Sequence, residues 1–443
     1  MSDFRITIPE HISEILNTLE KNGHDAYIVG GCVRDIFMHK TPSDFDITTS
    51  ASPEETIECF KDKKLVLTGL KHGTVAVAVK KKLVEITTFR TDGNYKDNRH
   101  PQNVTFVKDI KSDLSRRDFT INAIAYSPKC GLVDPFNGVE DIKNKIIRCV
   151  GDAEKRFDED ALRIMRGIRF SSVLNFAVEE ETKNAIHSKK SFIKNISIER
   201  IRDELKKLLV GENIFEVLMN YSDVIFTIIP ELEISLHTSQ NCPHHIYPVW
   251  EHICHSVKNT EPDIILRITM LLHDNAKPIV RKTDKNGIDH FVSHPKIGSE
   301  RARMILKRLK FDNKTVEEVE KLILHHDDRL YKNPENMPFY IHKFGYDFLR
   351  KLDKISRADI LSQNPKFFYS LNCCDDFLQK LDECEEKKIC TDISDLKIDG
   401  NDLLKLGFSG IKIGEILEEL LFRVMKNEIE NEREMLIKSA SDF

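Results

Sequence analysis

The sequence predicts an α+β chain, with a mixed α/β head at the N-terminus followed by a remainder that is all helix. Three observations predict it. The β-rich stretches AYIVGG, FDITT, TVAVAV and LVEITTF alternate with helical patterns between Ala26 and Phe89. Beyond about Val150 the strand signals fade, and helical periods such as ALRIMRGIRFSSVL and ERIRDELKKLL take over. The 443 residues contain no repeat, low-complexity tract or Gly/Ser linker, which points to roughly two to four domains at ~100–200 residues each.

Composition narrows the class. A hydrophobic content of 40% is enough to bury ordinary cores. No apolar run approaches the ~20 residues needed to cross a bilayer. The polar start MSDFRITIPE lacks the basic-then-apolar order of a secretion signal, so a cytoplasmic protein is expected. Ten cysteines occur without a CxxC pair, and Cys373 and Cys374 are adjacent. Reduced, mostly buried thiols are expected, not a zinc knuckle or a disulfide framework. A net charge of −5 gives no general affinity for nucleic acid, so any such contact needs local basic surface. Between Lys183 and Lys207 eight Lys or Arg face three acids, a candidate basic neck; from Glu415 to Glu434 the balance turns acidic.

Taken in order, the head opens with an apolar strand, Ala26 to Val29, that runs into Gly30-Gly31 and then Val33-Arg34-Asp35. Strand, tight glycine turn and helix start form a layout that binds phosphate through backbone N–H groups, although a bland turn reads the same way. Asp44-Phe45-Asp46-Ile47 then sets two carboxylates at i and i+2 on one strand face, with Phe45 and Ile47 toward the core. Such carboxylates repel unless divalent cations lie between them. Two Mg2+ ions held there activate a hydroxyl and stabilise departing pyrophosphate. Glu85, on a strand expected beside this one, is a third acid that binds metal, accepts a proton or simply faces solvent.

Arg116-Arg117-Asp118-Phe119-Thr120-Ile121-Asn122-Ala123 joins paired cations to an acid and an amide. The arginines suit triphosphate oxygens, and Asp118 and Asn122, at i and i+4 of an expected helix, suit ribose hydroxyls. In Phe157 to Arg163, Asp160 and Arg163 fall at i and i+3 of an expected helix. A carboxylate accepting from an exocyclic amine and an arginine donating to a ring nitrogen fit cytosine and adenine and oppose uracil and guanine. A surface salt bridge is the plain alternative.

Gly30 to Asp35, Asp44 to Asp46, Arg116 to Ala123, Asp134 to Gly138, Glu159 to Arg163 and Glu199 to Arg202 together resemble, across about residues 25–210, the bacterial-type (class II) CCA-adding tRNA nucleotidyltransferases and bacterial poly(A) polymerases. The resemblance implies template-independent addition of C, C and A from CTP and ATP to the 3′ end of tRNA. Its implied catalytic residues are Asp44, Asp46 and Glu85, with Mg2+ on the two aspartates. Its implied nucleotide-binding residues are Gly30, Gly31, Arg34, Arg117, Asp118, Asn122, Asp160 and Arg163, with Arg166 and Arg169 on the same helical stretch. Poly(A) synthesis and addition of CC alone or A alone share these motifs. Arg90 to Pro101 is similar to the flexible loop of complete CCA-adding members, which favours complete addition.

Further on, Trp250-Glu251-His252, Leu272-His273-Asp274, His294, His325-His326-Asp327 and Arg357-Ala358-Asp359 follow the H…HD…D order of HD-type phosphohydrolases. That resemblance makes His252, His273, Asp274 and Asp359 the ligands of a metal such as Mn2+ or Ni2+. Where such proteins usually read HDIGK, this chain has His273-Asp274-Asn275-Ala276-Lys277. Phosphatase and 2′,3′-cyclic phosphodiesterase activities go with this domain in some CCA-adding enzymes. Asp399 to Asp402 and Gly407 to Glu415 resemble a tRNA-binding tail. The expected domains are 1–148, the catalytic head; 149–215, a helical neck; 216–370, a helical body with the HD site; and 371–443, a helical tail.

Overall fold

In the computed structural model, which describes residues 6–93 and 104–443, the β-rich stretches of the N-terminal part become one seven-stranded sheet. Its strands are β1 (Ala26–Val29), β2 (Asp46–Thr49), β3 (Lys64–Val66), β4 (Thr74–Val79), β5 (Lys82–Thr88), β8 (Ala125–Ser127) and β9 (Gly131–Val133), in the order β3-β4-β5-β2-β1-β8-β9. β6 (Arg90–Asp92) and β7 (Val104–Phe106) form a separate antiparallel pair. Every link in the sheet is antiparallel except β2 with β5, which run parallel. The four stretches expected as strands are β1, β2, β4 and β5. Three-residue β3, β8 and β9 are too short to show a pattern of their own.

Helix α1 (Glu10–Lys21) covers this sheet with Ile12, Ile15, Leu16 and Leu19, the spacing of one helical face. α2 (Gly31–Phe37) and α3 (Pro53–Cys59) follow, the latter started by a reciprocal Ser52/Glu55 capping box. α4 (Ile110–Ser115) is capped by Asp109, whose carboxylate accepts from Lys111 and Ser112 N–H. Tyr27, Val29, Phe89, Leu114, Ala123 and Ala125 close a core between strands and helices. After α5 (Gly138–Asn144) the unit is helical apart from one parallel two-stranded pair, Ile146–Ile147 with Ala177–Val178: α6 (Ala153–Glu159), α7 (Leu162–Leu174), α8 (Glu180–Lys189), α9 (Ile198–Leu209), α10 (Ile214–Asn220) and α11 (Ser222–Ile228). The fold is thus a mixed sheet head followed by helices, as expected.

The chain divides into two compact units, Met1–Glu233 with Arg308–Lys310, and Ile234–Lys307 with Phe311–Phe443. The second is helical apart from one two-stranded pair, Lys282–Thr283 with Asp289–His290. Its helices are α12 (Val249–Asn259), α13 (Ile264–Leu272), α14 (Lys277–Val280), α15 (His294–Arg308), α16 (Asn313–His325), α17 (Met337–Phe344), α18 (Tyr346–Leu361), α19 (Ser370–Glu386), α20 (Gly400–Lys405), α21 (Ile411–Met425) and α22 (Arg433–Ala440). The last three enclose a core of their own around Leu403, Leu420, Leu421 and Leu436. All ten cysteines are free, and five of them are buried. No helix among the described residues is long and apolar enough to cross a membrane.

Candidate active site and metal centre

Strand register brings the head's motifs to one end of the sheet. Val29, the last residue of β1, pairs with Asp46 on one side and Ala125 on the other. Ile47 lies beside Ile86, so Glu85 comes level with Asp46. Gly30 follows Val29 directly and donates its N–H to Ile124 O at 3.1 Å. Gly30 has φ +79, and a Cβ there would stand 3.1 Å from Arg117 Nη1. The positive φ favours glycine, and a Cβ there would crowd the Arg117 guanidinium.

Asp44, Asp46 and Glu85 are exposed and line one pocket of about 1930 Å3, whose other walls include His11, Tyr126 and Lys129. Asp46 opens β2, while Asp44 precedes the strand and accepts from Ser43 Oγ at 3.1 Å. Ile47 is buried and Phe45 half-buried, in keeping with the expected alternation. The Asp46 carboxyl is pushed above its usual range by loss of surrounding water, then by the charge of Asp44, with Glu85 adding and Arg117 opposing. Three carboxylates on one pocket form an all-oxygen donor set that fits Mg2+. They are not drawn together, however. Among the described residues the groups with donor atoms within 4.8 Å of one another all belong to the second unit.

Beside these acids lies a cluster of arginines, each held by a named partner. Arg34 donates to Asp35 Oδ1 at 2.9 and 2.7 Å and to Asn122 Oδ1 at 2.8 Å. Arg116 and Arg117 both pair with Asp113, whose side chain is fully buried. Arg166 grips Asp118 Oδ2 at 2.7 and 2.6 Å. Burial alone would raise the Asp118 carboxyl, but the charge of Arg166 and its hydrogen bond overcome that and hold it down at about 2. Arg169 pairs with buried Glu204 at 2.9 Å, and burial pulls it down to about 10 despite that partner. Phe170 sits beneath three of these cations: the guanidiniums of Arg34, Arg166 and Arg169 lie 5.3, 5.4 and 3.9 Å from its ring centre. Sequence reasoning missed Phe170, Asp113 and Glu204. Only Asp113, three and four residues before the arginine pair, carried a usable signal.

Two expectations need correction. Asp118 and Asn122 do not share a regular helix, because Phe119 is extended and bridges to Cys149. They meet nonetheless, with Asn122 Nδ2 donating to Asp118 Oδ1 at 3.3 Å. Asp160 and Arg163 do not share a helix either. α6 ends at Glu159, α7 begins at Leu162, and Asp160 between them is extended, accepting Leu162 N–H at 3.0 Å. Arg200 lies 3.3 Å from its second oxygen. Arg163 donates instead to Glu159 at 2.6 Å and to the carbonyls of Arg156 and Arg116.

Ion pairs also thin the basic neck: Lys189 with Asp158, Lys190 with Asp223, Arg200 with Asp160 and Arg202 with Asp203. Of the Arg90–Pro101 loop, Arg90 to Asp92 form β6, and residues 94–101 lie outside the described residues.

In the second unit four helices deliver the histidines and aspartates. His252 lies on α12, His273 and Asp274 directly follow α13, His326 directly follows α16, and Asp359 lies in the last turn of α18. Asp263 and Asp312 cap the starts of α13 and α16 and so fix their direction. His252 Nε2 is 3.0 Å from Asp359 Oδ1 and 3.4 Å from Asp274 Oδ2, and His273 Nε2 is 3.2 Å from Asp274 Oδ2. His252, His273 and Asp274 have no exposure to solvent. Burial works against charge on His273, but Asp274 and Asp359 outweigh it and lift it to about 9. Asn275, the departure from the usual motif, is buried and fully used: it donates to Leu272 O and Gly298 O and accepts from Arg301.

A family model described as the poly A polymerase head domain matches residues 26–148. One described as the probable RNA and SrmB-binding site of polymerase A matches 175–233, and a putative tRNA nucleotidyltransferase domain 2 matches 282–440. The chain is 54% identical over 197 residues to the CCA-adding enzyme of Lactobacillus helveticus, covering 44% of this chain and 49% of that one, about half the length of each. It is 32% identical over 427 residues to the CCA-adding enzyme of Bacillus cereus, covering 96% of both. The solved structure of the Bacillus stearothermophilus CCA-adding enzyme in complex with CTP superposes with a TM-score of 0.72 at 28% identity, covering 98% of both chains.

Proposed function

The chain belongs to the CCA-adding enzyme family, and on that premise we propose that it adds C, C and A from CTP and ATP to the 3′ end of cytoplasmic tRNA, releasing pyrophosphate. The observation that carries the proposal is the meeting of Asp46, Glu85, Gly30 and Arg117 at one end of the head sheet. Asp44 and Asp46 hold divalent metal, Mg2+ in this reading, which supplies charge stabilisation to the phosphates when bound. Glu85 takes the proton of the attacking hydroxyl. The Gly30-Gly31 turn with Arg34, Arg117, Arg166 and Arg169 binds triphosphate, and Asp118 with Asn122 addresses the ribose. Asp160 and Arg163 read the base, and in doing so they exchange Arg200 and Glu159 for the nucleotide.

One assay tests it: tRNAs lacking A, CA or CCA are incubated with each nucleotide and their ends sequenced. Restoration of CCA on all three supports the reading. Addition of CC only, of A only or of a poly(A) run replaces it with the corresponding relative.

A second activity has its own observation behind it, the enclosed group of His252, His273, Asp274 and Asp359. In this reading the group holds Mn2+ or Ni2+ and hydrolyses phosphate esters at a site separate from the head.

A further inference from the structure

Three of the arginines beside the head acids converge on one ring. Arg34 comes from α2, Arg166 and Arg169 from α7, and their guanidiniums stand 5.3, 5.4 and 3.9 Å from the centre of Phe170, itself on α7. Each cation has an acid of its own: Arg34 has Asp35, Arg166 has Asp118 and Arg169 has Glu204. The acids do not cancel the crowding. Burial does most to lower Arg169, and the charges of Arg166 and Arg34 press it further in the same direction, against Glu204. Like charges gathered around one point separate unless something attracts all of them.

The ring does that without taking donors away. A carboxylate in its place would bind the N–H groups and compete with an incoming anion. The face of an aromatic ring attracts a cation through its quadrupole and forms no in-plane hydrogen bond, so the N–H forks stay available to phosphate. An aliphatic side chain of similar size would fill the space and attract nothing. Phe170 is also held in place: it is 6% exposed and meets Phe119 edge to face, with ring centres 5.8 Å apart and planes at 81°. Gly167 keeps α7 close to that partner, because a Cβ there would stand 3.1 Å from Phe119 Cζ. The ring that gathers the cations is thus fastened to the segment that carries Arg117, Asp118 and Asn122.

We infer that Phe170 is a positioning residue for nucleotidyl transfer: its ring holds the Arg34, Arg166 and Arg169 guanidiniums together as one preassembled seat for the triphosphate of the nucleotide. The inference rests on the reading of those arginines as triphosphate ligands. Cations assembled in advance lower the cost of binding, so the effect falls on nucleotide affinity and leaves the chemical step to the head acids.

The test uses the full chain with Phe170 replaced in turn by mono-, di- and trifluorophenylalanine, which keep the shape of the ring and withdraw its π charge step by step. KM and kcat are measured for CTP on tRNA lacking CCA, and thermal unfolding is followed on the same samples. KM should rise with each fluorine, to on the order of tenfold for the trifluoro ring, while kcat and the unfolding midpoint stay near those of the parent chain. Phe170→Leu should raise KM at least as far; if that variant does not fold, the fluorinated series decides. A KM flat across the series, or a loss in kcat at constant KM, overturns the inference and leaves the arginine reading standing. A KM that rises only as the unfolding midpoint falls marks a packing residue and overturns it as well. Arg34→Gln and Arg166→Gln in the parent chain test the premise separately: if neither raises KM for CTP, the arginines are not triphosphate ligands and both readings fall.

Discussion

Asp44 and Asp46 stand exposed on a pocket of about 1930 Å3, whereas Asp274 is sealed among histidines whose Nε2 atoms lie 3.2 to 3.9 Å from its oxygens. In the head the Asp46 carboxyl is raised chiefly by loss of water and then by the charge of Asp44, and the acids bring too few donors close enough to hold an ion alone. On the proposed function, substrate phosphate oxygens would complete such a site, so that metal and nucleotide would bind together. In the second unit the donors are preassembled and their tautomers fixed before any ligand arrives. One chain thus contains an open cluster of carboxylates and a closed cluster of histidines and aspartates.

The largest effect that sharpens this contrast is expected at the open site. Asp44→Asn or Asp46→Asn should lower nucleotide addition on the order of a thousandfold, the scale on which lost transition-state charge stabilisation is felt. tRNA binding, measured by filter retention, should persist, and near-normal addition by both variants would remove the head acids from the chemistry. Next comes independence. His273→Ala should abolish metal-dependent hydrolysis of 2′,3′-cyclic phosphate while CCA addition continues; joint loss with intact circular dichroism would break the two-site comparison.

A finer effect concerns base choice. Asp160→Ala should narrow the CTP-over-UTP preference in kcat/KM by ~1–3 kcal/mol, about five- to a hundredfold. A ratio equal to wild type would return Asp160 to its role as the residue that starts α7. The smallest effect tests enclosure itself. Burial raises the Asp353 carboxyl to about 6, against the pull of Arg357. A carboxyl raised on folding favours the folded state's protonated form, so its penalty is absent below the unfolded value near 4 and complete above about 6. Stability of the second unit should therefore fall by up to roughly 3 kcal/mol as pH rises across that window. Asp353→Asn should flatten the profile in denaturant titrations; an unchanged slope would show that another group sets it.

Where the sequence could be read, local physics dominates. The β-branched alternation of TVAVAV and LVEITTF became β4 and β5, and the ERIRDELKKLL period became α9 with Ile201, Leu205, Leu208 and Leu209 buried. The break at Asp160 was missed because an unbroken apolar period looked stronger than an aspartate able to accept the N–H two residues on, although that side chain is a good helix starter. Asp118 and Asn122 were given a helix because buried Phe119 reads as one turn of an amphipathic pattern, while a long-range bridge to Cys149 holds it extended. Register was out of reach altogether. Nothing local says that Val29 pairs with both Asp46 and Ala125. His294 and His326 stood in the same histidine series as Asp274, but the resemblance gave them no ligand role; α15 and α16 bring them beside it.

The one parallel link in the head sheet, β2 with β5, is where Asp46 and Glu85 come level. The hairpins β3–β4, β4–β5 and β8–β9 close over short loops and form early, but this link must wait until the chain from residue 50 to residue 81 has been gathered in. A head emerging from the ribosome therefore acquires its sheet margins before its centre. Asp46 and Glu85 therefore come level only when this last, long-range link closes.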